Sequence, residues 1–254
     1  DLWLGEVYKR INGKLKAIDQ YGYVIPFKES LESYLQQPDV WKEVTQGHRS
    51  RSNVMKDYID GQYLRNHHNI LRDPNCLQIL INTDSMELVN PIGAHVKKHK
   101  VDVFYWTLLN VSPTYRSQWR NIHFLGVCKT ATLKRFGVHK FLSNFIEVLL
   151  QLSTGMDMYL GGQRQKVTGI LVACLADTPA SAFIGEMKQS AGLADKGCRT
   201  CFINNVDMRR VFRVSQLEER CPNLHKERCQ DLEEMRKGLR PYWSKTWGIK
   251  IGRA

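Results

Sequence analysis

Residues 167–176 read Val-Thr-Gly-Ile-Leu-Val-Ala-Cys-Leu-Ala, an almost unbroken apolar run that stops at Asp177. A run this short without polar alternation has the pattern of a strand covered on both faces, which is the condition of strands in a parallel sheet. Parallel neighbours need a crossover long enough to return over the sheet. Residues 133–152 supply one, with Phe136, Phe141, Phe145, Val148, Leu149 and Leu152 spaced for one face of a helix and Gly155 closing it. The spacing predicts a single long helix there.

Further strands precede the crossover. Leu77, Ile79 and Ile81 alternate with Gln78 and Leu80 up to Asp84, and the reading ends this strand at the acid. Asn90, Pro91 and Gly93 give a turn signal, Lys97, Lys98, His99 and Lys100 follow, and 101–111 is rich in aromatic and β-branched residues. Residues 121–129 read as a third strand. After Asp177, Pro179 suits the first turn of a helix running to about Lys188. The predicted order is therefore three antiparallel strands, helix, strand, helix, with an acid ending the first and the fourth strand. A ribonuclease H-like α/β core has that order.

The sequence divides into 1–70, 71–192 and 193–254. The first segment, with apolar spacing at 30–35 and 40–44 and a polar, aromatic stretch at 57–64, is expected to be helical packing without a chemical motif. The second is the partial core. The third holds the remaining cysteines from Cys198 onward.

Composition narrows the class of partner. The 254 residues carry 37 Lys and Arg against 25 Asp and Glu, a net charge of +12, which attracts polyanions through release of the counterions condensed on phosphates. The longest apolar run, 170–176, falls far short of the roughly 20 residues of a membrane span. The N-terminus lacks the blocks of a signal peptide. Seven unevenly spaced cysteines then favour reduced thiols or metal ligands over a disulfide framework, and a cytosolic or nuclear compartment. The chain opens at Asp1 without Met and closes at Ala254 without a cap or polar tail, and the expectation is a fragment.

Three constellations carry chemistry. Asp84 and Asp177 each follow an apolar strand. If those strands are neighbours, the carboxylates converge and suit two Mg²⁺ (or Mn²⁺) ions about 3.5–4 Å apart, the arrangement that activates a nucleophile and stabilises the leaving oxygen in phosphodiester displacement. The competing reading is an Asp that caps the next turn or helix, which fits Asp177 before Thr178 and Pro179. Cys198 and Cys201 form a CxxC able to grip one tetrahedral Zn²⁺. Cys221, His225 and Cys229 fall at four-residue intervals downstream, and His225 and Cys229 are the pair expected to complete the ion; unpaired buried thiols are the bland alternative. Lastly, nine Lys or Arg lie between His95 and Lys140 against one acid, Asp102. Lys97, Lys98, Lys100, Arg116 and Arg120 are the candidate phosphate contacts, with Arg116 and Arg120 on one face if their stretch is helical. Tyr115 and Trp119 suit stacking on unpaired bases, whereas Tyr105 and Trp106 read as core.

Taken together, these residues resemble the CACTA (En/Spm-like, tnp2-type) transposases and the transposase-derived proteins of animals. The resemblance rests on Asp84, the turn Asn90-Pro91-Ile92-Gly93 with its Lys-rich continuation, Asn110-Val111-Ser112-Pro113 with Arg116, Ala176-Asp177-Thr178-Pro179-Ala180, and the approach from Gly185 to Cys198 and Cys201. It spans about half of the chain. The resemblance implies a ribonuclease H-like core with a DDE triad, Asp84 as first acid and Asp177 as second, catalysis by a divalent metal, and a helical zinc-binding insertion between the second and third acids. It also implies DNA as partner (transposon ends and target), homo-oligomers at full length, and the nucleus.

The third acid has no candidate here, because Glu227, Glu233 and Glu234 lie in a charged helix beside the expected zinc ligands. The resemblance places it beyond residue 254, so this chain alone is expected to cleave little or no DNA. A non-catalytic, zinc-stabilised DNA- or protein-binding remnant is the alternative.

Overall fold

The chain opens with a hairpin where its sequence suggests helices. Leu2–Ile11 (β1) and Lys14–Val24 (β2) pair antiparallel around Asn12 and Gly13, whose φ values are 51° and 76°. Two successive positive φ angles form the mirror-image turn whose twist matches that of paired strands, and Asn-Gly is the dipeptide that tolerates it best. The helical reading of 1–70 is thus corrected for its first third. Helices begin only at Phe27–Leu35 and Pro38–Gln46, where the apolar spacing at 30–35 and 40–44 lies.

The computed structural model describes residues 1–46, 55–88, 99–185, 187–188, 194–211 and 213–250. They form two compact units, Asp1–Leu175 and Ala176–Ala254. The first is a mixed α/β unit whose curled sheet has six strands in the order β1-β2-β5-β4-β3-β8. Here β3 is Leu77–Glu87, β4 Lys100–Leu108, β5 His123–Lys129 and β8 Gly169–Leu175; a separate hairpin, β6 (Met156–Leu160) and β7 (Gln163–Val167), turns at Gly161 and Gly162. All neighbours are antiparallel except β3 and β8, which run parallel from Leu77↔Gly169 to Asn82↔Leu175. The first hairpin pairs with β5 at Tyr23↔Val127 and Val24↔Gly126, and the Ile25 N–H continues the contact by donating to the Leu125 carbonyl at 2.9 Å. A Cβ on Gly126 would stand 2.6 Å from the Tyr23 carbonyl oxygen, so the junction requires glycine.

Between β5 and β8 the chain crosses the sheet, though not as one helix. It breaks into Thr130–Phe136, Val138–Phe141 and Ser143–Thr154, because Gly137 adopts φ 90° and Leu142 leaves helical geometry. These pieces and Phe27–Leu35 cover one face of the sheet. Phe27 meets Trp106 and Phe145 edge-on at 5.3 and 4.7 Å, and Phe104 meets Phe141 at 5.1 Å. Burying such side chains stabilises the unit by about 2–3 kcal/mol each. His123 stacks on Trp106 at 4.3 Å, and burial pushes its imidazole down to about 4. Its Nε2 meets no hydrogen-bond partner among the described residues, which accords with a ring kept neutral.

The apolar run 167–176 differs from its reading. Among the described residues β8 is an edge strand with β3 as its one neighbour, and Leu171 and Leu175 are exposed.

In the second unit, Thr178–Ile184, Pro222–Glu234 and Arg240–Trp247 are helical. Isolated bridges Met187↔Ile249 and Cys201↔Glu219 tie the intervening loops. The last helix ends at Gly248, left-handed at φ 69°, and Ser244 Oγ donates to the Ile249 carbonyl at 2.6 Å. Among the described residues, no helix is long and apolar enough to cross a membrane.

Candidate functional site

Asp84 does not end β3. It stands opposite Val103, and the strand continues to Glu87. Alternation along β3 sends Ile79, Ile81 and Thr83 into the core and leaves Asn82, Asp84 and Met86 exposed on the other face. The Asp84 carboxylate is therefore hydrated, and the cost of burying it never arises. One of its oxygens accepts the Ser85 backbone N–H at 2.7 Å; the other makes no hydrogen bond among the described residues.

On the same face lies a cleft of about 270 Å³, with Leu80, Asn82, Tyr105, Thr107, Ser117 and Ile122 among its lining. Asp84 is two residues from Asn82, just outside it. Trp106 is core, as its reading has it, while Tyr105 is only half-buried and faces the cleft. Trp119 is 87% exposed and Tyr115 is exposed as well.

Asp102 sits beside Asp84 in sequence register but on the core face, opposite Ser85. It accepts hydrogen bonds from Ser85 Oγ at 2.5 Å and Thr130 Oγ1 at 3.0 Å, which pins the start of the crossover to the sheet. Facing the core, it is no third acid for Asp84.

Asp177 opens the second unit as the N-cap of Thr178–Ile184. Its Oδ1 accepts the Ala180 N–H at 2.8 Å, with Pro179 in the first turn. The capping role is therefore met, and the other carboxylate oxygen remains exposed.

The CxxC bends at Arg199 and Thr200. Cys198 Sγ lies 3.3 Å from Thr200 Oγ1. Burial pushes the Cys198 thiol up, but hydrogen bonds from Thr200 and Cys201 outweigh it and bring it down to about 7. Burial raises Cys201. Arg220 organises this corner: Nε donates to the Cys198 carbonyl at 2.7 Å, Nη2 to the carbonyls of Lys196 at 2.7 Å and Trp247 at 3.2 Å, and the guanidinium lies 4.6 Å over Phe202. Nothing in the local sequence marks Arg220 for this task. His225 and Cys229 face each other on Pro222–Glu234, Nε2 to Sγ at 3.7 Å. Each pair is close within itself, yet among the described residues no three His, Cys, Asp or Glu side chains gather around one point. Two soft thiols, one easily ionised, fit half of a zinc shell, and the second half is not assembled around them.

The basic run disperses. Lys97 and Lys98, with the turn 90–93, lie outside the described residues. Lys100 stands opposite Glu87. Arg116 and Arg120 share no helix, since Pro113–Arg116 and Trp119–Asn121 are separate short turns. Arg116 is committed to the fold: it holds Asp57 through two bonds of 2.9 and 2.8 Å, donates to the carbonyls of Val111 and Leu109, and stacks over Tyr58 at 5.0 Å. This corrects its assignment as a phosphate contact, because those bonds leave little of the guanidinium for a ligand. Arg120 is exposed and weakly paired with Asp39 at 3.5 Å. Lys140 donates to the Leu4 carbonyl at 2.6 Å.

No protein-family model matches this chain, and no curated protein matches it.

Proposed function

We propose that this chain is part of a DNA transposase or transposase-derived protein whose core is ribonuclease H-like, with Asp84 and Asp177 as the two acids it contributes to a metal-dependent phosphodiester site. One observation carries the reading: β3 and β8 pair in parallel, beside the antiparallel series β3-β4-β5, and a helical crossover lies between β5 and β8. The parallel pairing runs from Leu77↔Gly169 to Asn82↔Leu175, and Asp84 lies two positions further along β3.

The residues present suit Mg²⁺ or Mn²⁺. Both carboxylates are exposed, hard oxygen donors, and each has an oxygen not engaged by the backbone N–H groups of Ser85 and Ala180. A bound divalent ion would supply charge stabilisation and an activated hydroxyl nucleophile. The chain's own part is to fix the carboxylates: β3 holds Asp84 in a rigid strand, and the N-cap bond orients Asp177. Lys100 and Arg120, with Lys97 and Lys98, are proposed to attract the DNA backbone. Cys198 and Cys201 are proposed to take structural Zn²⁺, completed by His225 and Cys229 when the ion gathers them. Homo-oligomerisation and a nuclear location belong to the same reading.

The test is Mg²⁺- or Mn²⁺-dependent nicking of duplex DNA by this chain and by a version extended past Ala254. Activity is expected in the extended protein alone and lost in Asp84→Ala and Asp177→Ala. Nicking that survives both substitutions overturns the proposal. A second reading, a non-catalytic zinc-stabilised DNA-binding module, is favoured by the N-cap bond of Asp177, which gives that acid a structural purpose without any metal.

A further inference from the structure

The first hairpin is more than an extension of the sheet. Its base is anchored: Leu4 is buried, Gly5 and Gly22 pack against the rings of Phe136 and Phe141, and Thr132 Oγ1 donates to Gln20 at 3.1 Å. Beyond Val7 and Ile18 the ribbon is exposed on both faces; every residue from Tyr8 to Ala17 assigned to its strands is open to solvent, Tyr8 by 61% and Leu15 by 69%. A two-stranded ribbon about 15 Å long on which no described residue packs is marginal by itself.

Its charge is segregated. Residues 7–18 contain Lys9, Arg10, Lys14 and Lys16 and no acid. The register puts Lys9 directly opposite Lys16 and Ile11 opposite Lys14, on the face that also carries Val7 and Ile18. The nearest acids, Glu6 and Asp19, pair with each other on the opposite face, which bears Tyr8 and Arg10. Three lysines thus share one face without a counter-charge among the described residues. Like charges directly opposed weaken a strand pair; a lysine on an edge strand guards it against pairing, but that use does not require Lys9 and Lys16 to face each other. The arrangement makes sense for a partner that supplies negative charge.

We infer that the ribbon of residues 7–18 is a DNA-binding arm that enters a groove of duplex DNA, with Lys9, Lys14 and Lys16 on the phosphates. A major groove about 12 Å wide admits a two-stranded ribbon, and its walls place phosphates on both sides of an element that has two open faces. Arg10 and Asn12, at the tip, are the side chains placed to reach base edges. The inference rests on the reading of DNA as substrate and names a contact for it outside the acid site.

The experiment is fluorescence anisotropy of a labelled 20-base-pair duplex titrated with the whole chain between about 50 and 300 mM salt, the range over which phosphate contacts are read from the slope. Wild type is compared with the triple variants K9A/K14A/K16A and K9R/K14R/K16R. With about 0.9 counterion released per contact, loss of three lysines lowers the log–log slope by about 2.7 and weakens binding on the order of 100-fold at 0.15 M salt. The arginine variant keeps wild-type binding, and the thermal midpoint of the alanine variant stays level or rises as the Lys9–Lys16 repulsion disappears. An unchanged slope in the alanine variant overturns the arm while leaving the acid-site reading intact. Equal, ribbon-dependent binding of polyglutamate or anionic vesicles overturns DNA as its partner. No duplex binding by wild type overturns the arm and the DNA reading together, whereas ribbon-dependent binding combined with metal-dependent nicking that ignores Asp84 and Asp177 leaves the arm standing and removes the acid site.

Discussion

Arg116→Ala separates the two roles assigned to that residue. Its side chain is 17% exposed and that of Asp57 is 7% exposed, and the pair is held at 2.8 Å by two near-parallel bonds. Asp57 also accepts from Tyr58 N at the start of a short helical turn, so the ion pair links the 55–72 segment to the end of β4. Breaking a buried pair by removing one partner costs about 3–5 kcal/mol, since the remaining charge stays desolvated. The carbonyls of Leu109 and Val111 lose their donor as well. Arg120→Ala is the control: that pair is 3.5 Å apart with side chains 52% and 61% exposed, and such pairs contribute at most about 1 kcal/mol. Urea unfolding followed by near-ultraviolet circular dichroism is expected to show a large drop in midpoint for Arg116→Ala and almost none for Arg120→Ala. A double cycle with Asp57→Ala should recover much of the loss. If Arg116→Ala leaves the midpoint unchanged and weakens DNA binding instead, the structural role is refuted.

Other outcomes follow from the same geometry. Burial holds His123 down to about 4, against 6.5 when unfolded, so between those values the unfolded chain binds more protons. The associated stability is complete above about pH 6.5 and is lost as pH falls through about 4; in His123→Phe, which keeps an aromatic ring against Trp106, the acid-side decline between pH 6.5 and 4 should be shallower, and equal slopes would refute the assignment. For the second unit, metal analysis of protein purified without chelator is expected to give about one Zn²⁺ per chain, lost in Cys198→Ser/Cys201→Ser and reduced in His225→Ala. Retention of full zinc by the double cysteine variant would remove the CxxC from the site.

How much of this was legible depended on the range of the interactions involved. The pairing of β3, β4 and β5 and the strand 169–175 follow from alternation and apolar runs, which are local. Asn12-Gly13 is equally local, yet the exposed strands around it alternate weakly because both faces meet solvent, so the pattern does not mark the hairpin. The apolar run ending at Asp177 overstated burial, since its residues leave one side of an edge strand open. Gly137 split a helix whose phenylalanine spacing alone looks continuous. At the site, the positions of Asp84 and Asp177 could be read from strand ends to within a few residues, and the N-cap of Asp177 from Thr178-Pro179. The Asp57 partner of Arg116, the bond that Ser85 gives Asp102 and the carbonyl clamp of Arg220 depend on residues 17 to 59 positions away, and no local pattern announces them.

The most direct test of the central claim is Mn²⁺ binding to this chain, followed by electron paramagnetic resonance, in wild type, Asp84→Asn and Asp177→Asn. If the two carboxylates share metal, wild type binds Mn²⁺ and each substitution alone removes most of that binding, with the fold unchanged by circular dichroism. Binding that is indifferent to either substitution would contradict the account and leave Asp177 a helix cap and Asp84 a solvated strand residue.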